Sequence, residues 1–455
     1  MLVGLCLALR HQHVGGTLRH YQALLKVTSD LEAHKLSNQR LLYGLKLSLA
    51  RASDEKLEVG QARRLLQDLM PQPGEPDLRG FEWHLLSRLC HVADSGDGIS
   101  VWNSTNLASP QSLNIPASPG TATGAIVAVR FSQDGKRLVA VGKDFDMRIF
   151  SMAPGSLGLE AAPRHHLSWA WGHHGVGSLS PDARWAAARS GHSGVTVTVW
   201  KLAGALPPRA ASTTDGLQIG VHHQEVSAVA FSDDSRCLAT AGAEGNVKIW
   251  RLVGRPESEE WKETRSIDTK MEATLLKFAP DGETLAVGAS LTDCRKALWI
   301  DPATGDPRAT LHCGEHGVTA MAFSPDSNVL VTGSLLGELA IWHLRDTSRG
   351  TTLTAGQLES PRTPGSPIRA LTFTPDGRRL ASGSEGGEVK LWDFMDGAAP
   401  FELLECLSLR AQKGGVLALG FSPDGQTLVS GGISEDRTRG EIKLWQAATP
   451  GEVRR

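Results

Sequence analysis

Seven copies of one five-residue word limit what this chain can fold into. The word reads FSQDG at Phe131–Gly135, LSPDA at Leu179–Ala183, FSDDS at Phe231–Ser235 and FAPDG at Phe278–Gly282. It continues as FSPDS at Phe323–Ser327, FTPDG at Phe373–Gly377 and FSPDG at Phe421–Gly425. Its aspartates are Asp134, Asp182, Asp234, Asp281, Asp326, Asp376 and Asp424, with successive gaps of 48, 52, 47, 45, 50 and 48 residues. A period in this range is the mark of a repeat architecture. Pro pre-sets φ and Asp caps the following amides, so each word is a tight turn.

Each word has the same surroundings. An apolar run such as VSAVAF (Val226–Phe231) or VTAMAF (Val318–Phe323) precedes it, and a second run such as CLATAG or RLASGS follows. A Gly/acidic turn then leads to a third run ending in an aromatic: VKIW at Trp250, LAIW at Trp342, VKLW at Trp392, IKLW at Trp445. Trp200 and Trp299 end the corresponding runs of the second and fourth repeats, and Phe150 that of the first. Short runs joined by turns predict an antiparallel meander. Strands apolar on both faces must be covered on both sides. Seven such sheets arranged radially cover each other, so the expected fold is all-β, a seven-bladed β-propeller of about four strands per blade. Composition agrees, with 49 glycines and 12 tryptophans against 2 tyrosines in 455 residues.

These words and Trp-ended strands resemble the WD40-repeat family over about residues 96–447. The preface ending in LRGFEWHLLSRLCH (Leu78–His91) is similar to that of bacterial WD40 proteins, including the tails of large membrane-tethered bacterial protein kinases. The family staples each blade with a His before strand a, a Ser/Thr in strand b, an Asp in the b–c turn and a Trp in strand c. Here only Trp392–Asp393 forms the WD dipeptide. Turn aspartates are expected at Asp144 and Asp293, the other turn positions being Gly194, Glu244, Leu336, Gly386 and Arg439. The candidate histidines are His174, His223 and His316. No blade is expected to hold all four members.

The chain divides into a short apolar stub over residues 1–16, a small α-helical region over 17–92 and a propeller over 93–449. Leucines at helical spacing from Leu24 to Leu49, and again at Leu65, Leu66 and Leu69, predict a helical hairpin, and Asp77–His91 a docking helix. With a boundary near His91, the propeller is expected to fold without residues 1–91. Residues 111–116 are expected to supply the outer strand of the last blade. Residues 98–102 (GISVW) read as an orphan strand. The stub Leu2–Leu9 is too short to span a bilayer and lacks the features of a signal peptide. It is either a helix end or the end of a missing membrane helix. The location is expected to be cytoplasmic, or extracytoplasmic in the latter case.

Enzymatic chemistry is not expected. The phosphate-loop, nucleophile-elbow, zincin and protein-kinase words are all missing. The seven word aspartates recur with the period and read as structural residues in surface turns far apart. Six scattered cysteines and the pairs His165–His166, His173–His174 and His222–His223 do not make a metal site. No cofactor is expected. Charges nearly cancel, 47 basic against 49 acidic, with no basic patch, so nucleic acid is not an expected partner. What remains is a non-enzymatic scaffold binding a protein or peptide. The resemblance places partners on the face carrying the b–c and d–a loops. Candidate contact residues there are Lys143, Asp144, Glu244, Arg295, Glu385, Arg437 and Arg439. The alternatives are a sensory ligand-binding propeller related to a kinase tail and, behind it, a propeller hydrolase or lyase.

Overall fold

The computed structural model describes residues 64–71, 79, 81–92, 111–115, 125–142, 146–152, 165–166, 177–182, 184–190, 194–201, 216–255, 259–289, 296–313, 317–343, 366–394, 403–434 and 439–447. Helix α1 is Phe81–Val92 and strand β1 is Gln111–Ile115. Blade 1 follows as β2 Ile126–Phe131, β3 Arg137–Gly142, β4 Asp146–Ser151 and β5 His165–His166. Blade 2 is β6 Gly177–Leu179, β7 Trp185–Ser190, β8 Thr196–Lys201 and β9 Leu217–Val221. Blade 3 is β10 Val226–Phe231, β11 Cys237–Gly242, β12 Asn246–Val253 and β13 Glu260–Asp268. Blade 4 is β14 Leu275–Phe278, β15 Leu285–Gly288, β16 Lys296–Ile300 and β17 Pro307–His312. Blade 5 shows β18 Ala320–Phe323, β19 Val329–Gly333 and β20 Leu339–His343. Blade 6 is β21 Ile368–Phe373, β22 Arg379–Ser384, β23 Glu388–Phe394 and β24 Leu403–Arg410. Blade 7 is β25 Val416–Phe421, β26 Thr427–Ile433 and β27 Gly440–Gln446.

Seven antiparallel sheets result, and the fourth strand of blade 7 is β1. Gln111 lies opposite Leu444 and Ile115 opposite Gly440. The innermost strands touch in blade order, and β25 packs against β2, so the ring is closed. The seven-bladed all-β fold expected from the period is the fold observed. Residues 1–63, 98–102 and both turn aspartates, Asp144 and Asp293, lie outside the described residues.

The glycine at the end of strand b explains how blades sit so close at the hub. A Cβ on Gly333 would run into the Ile368 side chain of the next blade, and one on Gly383 into Val416. Side chains from strand a of one blade thus lie on the bare backbone of its predecessor, in keeping with close packing.

The sequence suggested repeat words far apart; instead, words of adjacent blades meet at five junctions around one mouth of the ring. Pro325 of blade 5 lies against Gly377 of blade 6, Pro375 against Gly425, and Pro423 of blade 7 against Gly135 of blade 1. Two words end in Ser in place of Gly, and both serines sit at positive φ, Ser235 at 60° and Ser327 at 60°. That conformation costs a non-glycine residue about 1–2 kcal/mol. Each serine hydroxyl accepts the backbone N–H of the preceding blade's word aspartate, Asp182 at 3.1 Å and Asp281 at 3.0 Å.

Within a word the aspartate holds the turn as expected. Asp376 Oδ1 accepts from the Thr374 hydroxyl at 2.6 Å and the Arg378 amide at 3.0 Å. Asp134, Asp182, Asp234, Asp326 and Asp424 repeat that pair of bonds. The Ser132 hydroxyl and the Lys136 amide hold the Asp134 carboxyl below its ordinary range. In FAPDG, Ala279 replaces the hydroxyl residue, and Asp281 keeps only the Glu283 amide at 2.9 Å.

Four tryptophans bond across their own blade to a strand-b hydroxyl. Trp250 Nε1 reaches Thr240 at 3.1 Å, Trp342 reaches Thr332 at 3.0 Å, Trp392 reaches Ser382 at 2.8 Å and Trp445 reaches Ser430 at 3.4 Å. Trp200 is half-buried opposite Ala186, and Phe150 is opposite Leu138. Trp299 does not match the others. In blade 4 the residue opposite Leu285 is Ile300, and Trp299 faces Ala286. Trp299 therefore lies on the other side of the sheet, packed with Met321, Phe323 and Trp342 of blade 5. Its buried Nε1 has no hydrogen-bond partner among the described residues. The strand sequence Leu-Trp-Ile puts Ile where its sisters have Trp, a one-residue slip that exchanges faces.

Helix α1 is part of the propeller core. Phe81, Trp83, Leu85 and Leu86 are buried in one cluster with Cys406, Leu407 and Leu409 of blade 6 and Leu428 and Trp445 of blade 7. The Phe81 and Phe421 rings meet edge to face at 5.6 Å. Residues 64–67 form a helical turn that joins the cluster through Leu66, whose carbonyl accepts Trp83 Nε1 at 3.0 Å. The expectation that the propeller folds without residues 1–91 meets this packing: Leu66, Phe81, Trp83, Leu85 and Leu86 fill a wedge between blades 6 and 7.

Candidate functional site

The b–c turns and the segments entering strand a lie at the opposite mouth from the repeat words. Three of the seven charged candidates fall in the described residues: Glu244, Glu385 and Arg439. Lys143, Asp144, Arg295 and Arg437 lie outside them.

Glu244, in the b–c turn of blade 3, turns inward. Its Oε1 lies 2.9 Å from His222 Nδ1, and His222 Nε2 lies 2.9 Å from the Thr240 hydroxyl. The ionised Glu244 carboxylate can only accept, so His222 carries its proton on Nδ1, and the Thr240 hydroxyl, which accepts the Trp250 N–H, donates its own proton to Nε2. Blade 3 thus holds a complete four-member chain, Trp250–Thr240–His222–Glu244, where none was expected. Two sequence readings hid it: the histidine is His222 rather than its neighbour His223, and glutamate replaces the aspartate. Burial pushes the His222 imidazole below its ordinary value against the opposing pull of Glu244. Burial alone would raise Glu244, but hydrogen bonds from the backbone and His222 outweigh it and hold the carboxyl down. Glu244 is a structural residue here, not an open contact.

In blade 7 the matching position is Gln412, four residues before the strand as His222 is before β10. It is 1% exposed. Its side chain donates to the Glu441 carbonyl at 3.0 Å. The candidates His174 and His316 lie outside the described residues, and His165–His166 pair as β5 with Asp146 and Met147. Among the described residues no group of three His, Cys, Asp or Glu side chains could hold a metal ion.

Glu385 and Arg439 do share a surface. Glu385 in the b–c turn of blade 6 accepts two bonds from Arg369, at 3.0 and 2.8 Å, with both side chains well exposed. Arg439 stands exposed at the base of the loop after β26, where the Ser434 hydroxyl accepts its amide at 3.1 Å. Between these turns runs the segment 412–415, packed so closely that a Cβ on Gly387 would collide with the Gln412 carbonyl and one on Gly414 with Ser434. The b–c turn of blade 5 continues the surface through the Ile368 amide, which donates to the Ser334 carbonyl at 3.1 Å. That turn carries Leu336, 45% exposed, beside the Ser334 hydroxyl that accepts its amide. Sequence reasoning passed over Leu336, although a leucine where sister turns carry Gly, Glu or Arg was the available signal.

The surface spans blades 5, 6 and 7, and the sequence of those blades matches known repeats. The profile described as WD domain, G-beta repeat matches residues 216–251, 305–343, 358–393 and 404–438. The chain carries WD40 repeats. The first, second and last matches each begin at the outer strand of one blade and continue into the next, so the WD40 unit is offset by one strand from the sheet. That offset is what leaves β1 to complete blade 7.

Relatives of this WD40 region align over about a quarter of the chain. It is 29% identical over 127 residues to Protein groucho of Drosophila melanogaster, covering 28% of this chain and 17% of that protein. It is 29% identical over 124 residues to WD repeat-containing protein 1 of Xenopus tropicalis, covering 27% of this chain and 19% of that protein. The protein of the same name from Bos taurus matches at 28% over 124 residues. The aligned region spans less than a fifth of each relative's length. Among the described residues no helix is long and apolar enough to cross a membrane.

Proposed function

We propose that this chain is a non-enzymatic WD40 scaffold that binds a protein or peptide on the b–c loop face of blades 5 to 7. The observation that carries the reading is Leu336. It is an exposed apolar side chain on a rigid ring, followed in the next two blades by the Arg369–Glu385 pair and by Arg439. An apolar contact rimmed by charges of both signs suits a polypeptide partner. The leucine supplies burial and the charges supply register and steering. Loops held by a stiff scaffold are where binding residues concentrate. Lys143, Asp144, Arg295 and Arg437 belong to the same reading as further charges of this face. Small-molecule turnover has no comparable support, and the proposal assigns no catalytic residue.

The test is affinity capture with the full chain against the double variant Leu336→Asp, Arg439→Glu. The expected result is loss of the partners retained by the wild type, with unfolding midpoints unchanged. Equal recovery of the same partners would overturn the assignment of the face.

A narrower reading, a regulatory propeller of the kind that ends bacterial membrane-tethered signalling kinases, is supported by Phe81–Val92. That helix holds most of the resembling preface and is built into blades 6 and 7, so it would join the propeller firmly to whatever precedes it. A longer gene encoding a kinase domain upstream is the expected finding. A gene with none would overturn it.

A further inference from the structure

In blade 2 an arginine stands where the other six blades have small or apolar residues. Arg189 of β7 lies opposite Val197, three residues before Trp200. The matching residues are Val141, Ala241, Gly288, Gly333, Gly383 and Gly431. At Gly333, Gly383 and Gly431 the first residue of strand a in the next blade lies on bare backbone: Ile368, Val416 and Ile126 respectively. Val226 holds that place in blade 3, and it shares the interface with a guanidinium.

Arg189 is buried, with its side chain 5% exposed. Its Nη1 donates to the Val226 carbonyl at 3.3 Å and to the Glu225 carboxylate. The other terminal nitrogen, Nη2, is buried and has no acceptor among the described residues. A buried donor on a charged group is costly to leave without an acceptor. Glu225 differs from its partner, because its side chain is 52% exposed at the b–c mouth. Its backbone is held on both sides. The Glu225 carbonyl accepts the Ala243 amide at 2.9 Å, and the Val226 amide donates to the Gly194 carbonyl at 2.8 Å. The carboxylate is thus tethered where it meets one terminal nitrogen of the fork and not the other. Gly194, at φ 66°, leaves room for both side chains, since a Cβ there would meet Glu225 Cγ at 3.1 Å and Arg189 Cδ at 3.3 Å.

A carboxylate free of that tether can pair with both terminal nitrogens, the geometry in which arginine binds carboxylates most strongly. We propose that Arg189 is the binding site for a carboxylate ligand entering between blades 2 and 3. Glu225 is its stand-in and turns out to solvent when the ligand arrives. The site opens at the same mouth as Leu336, but it lies across the ring from the surface of blades 5 to 7 and does not depend on it.

The test is titration of the full chain with two probes, sodium propionate and the capped tripeptide acetyl-Gly-Glu-Gly-amide. The two arms separate a free acid from an acidic side chain of a polypeptide. Ionic strength is held constant with chloride, and binding is followed by saturation-transfer NMR of the probe and by the unfolding midpoint. The uncharged twins, propionamide and the tripeptide with Gln, serve as controls. Glu225→Ala removes a tethered competitor. It should bind at least one acid probe about tenfold more tightly than the wild type does, and show no saturable binding of the uncharged twin. Adding Arg189→Met to Glu225→Ala should abolish that binding. Should Glu225→Ala fail to fold, Glu225→Gln keeps an acceptor for Nη1, loses the charge and carries the same expectation. No saturable binding of either acid by the Glu225 variant, an affinity equal to that of the wild type, or binding that persists in the double variant would overturn the proposal.

Discussion

Glu82 and Arg379, 297 positions apart, are joined by two hydrogen bonds, from Arg379 Nε at 3.1 Å and from its second terminal nitrogen at 2.9 Å. The third nitrogen of the same guanidinium bonds Asp393 at 2.5 Å. All three residues are buried. The aspartate of the only WD dipeptide thus reaches the N-terminal helix through one arginine. Breaking a buried pair costs about 3–5 kcal/mol because the remaining charge is stranded. Arg379→Met strands two carboxylates and is expected to cost that much. Glu82→Gln leaves the Arg379–Asp393 pair intact and should cost clearly less. Urea midpoints of the two variants give the order, and equal midpoints would contradict it.

Truncation checks the wedge between blades 6 and 7. Deleting residues 1–62 retains Leu66 and α1 and should leave the melting midpoint close to that of the full chain. Deleting residues 1–92 uncovers Phe421, Trp445 and Leu407 and removes Glu82, one of the two carboxylate partners of Arg379, so a much lower midpoint and aggregation are expected. Deleting residues 1–118 adds the loss of β1 and leaves an open sheet edge. Solubility should fall in that order. A soluble product lacking 1–92, with an undiminished midpoint, would show that the helix is dispensable.

The four-member chain of blade 3 predicts acid sensitivity. The His222 pKa is depressed in the folded state, so below its ordinary value of 6.5 the unfolded chain binds more protons. Stability contributed by neutral His222 is complete above that value and is lost as the pH falls below it. Glu244, also depressed, adds a loss in the same direction below its ordinary 4.5. His222→Gln uses the residue that blade 7 places at the matching position. It should flatten the stability slope between about pH 6.5 and 5 and lower stability at pH 7.5 by about 1 kcal/mol. An unchanged slope, measured by denaturant titration at each pH, would remove His222 from the account.

The repeat words contain their own control. Asp376→Ala removes bonds to a hydroxyl and an amide, whereas Asp281→Ala removes only one amide bond. At about 1 kcal/mol per bond, the first should cost about twice the second in urea unfolding. Equal costs would mean that the hydroxyl bond contributes nothing.

The fold was legible because its determinants are local and repeated. Word, flanking strands and terminal Trp can each be seen within fifty residues, and seven copies average out local deviations. What escaped was set by register and long range. Trp299 and Ile300 differ by one position, and only the pairing of β15 with β16 shows which is the structural equivalent of Trp250. His222 and His223 raise the same difficulty. Glu82 stands within an amphipathic helix pattern, and its partner lies almost 300 residues on, so no window of sequence reveals the pair. The charged face was partly legible: Glu385 and Arg439 stand on it, but a glutamate in a turn can face in or out, and Glu244 faces in.

The pairing of Gln111–Ile115 with Gly440–Leu444 also sets an order in time. A ribosome moving from the N-terminal end makes β1 early and its partner β27 last. About 325 residues separate them, which at roughly 5–20 residues per second is on the order of 15–65 seconds of synthesis. Throughout that interval the ring has no lock, and the hydrogen-bonding groups of β1 have no strand to meet. The nascent propeller is a row of blades open at both ends, and it can close only after β27 has been made.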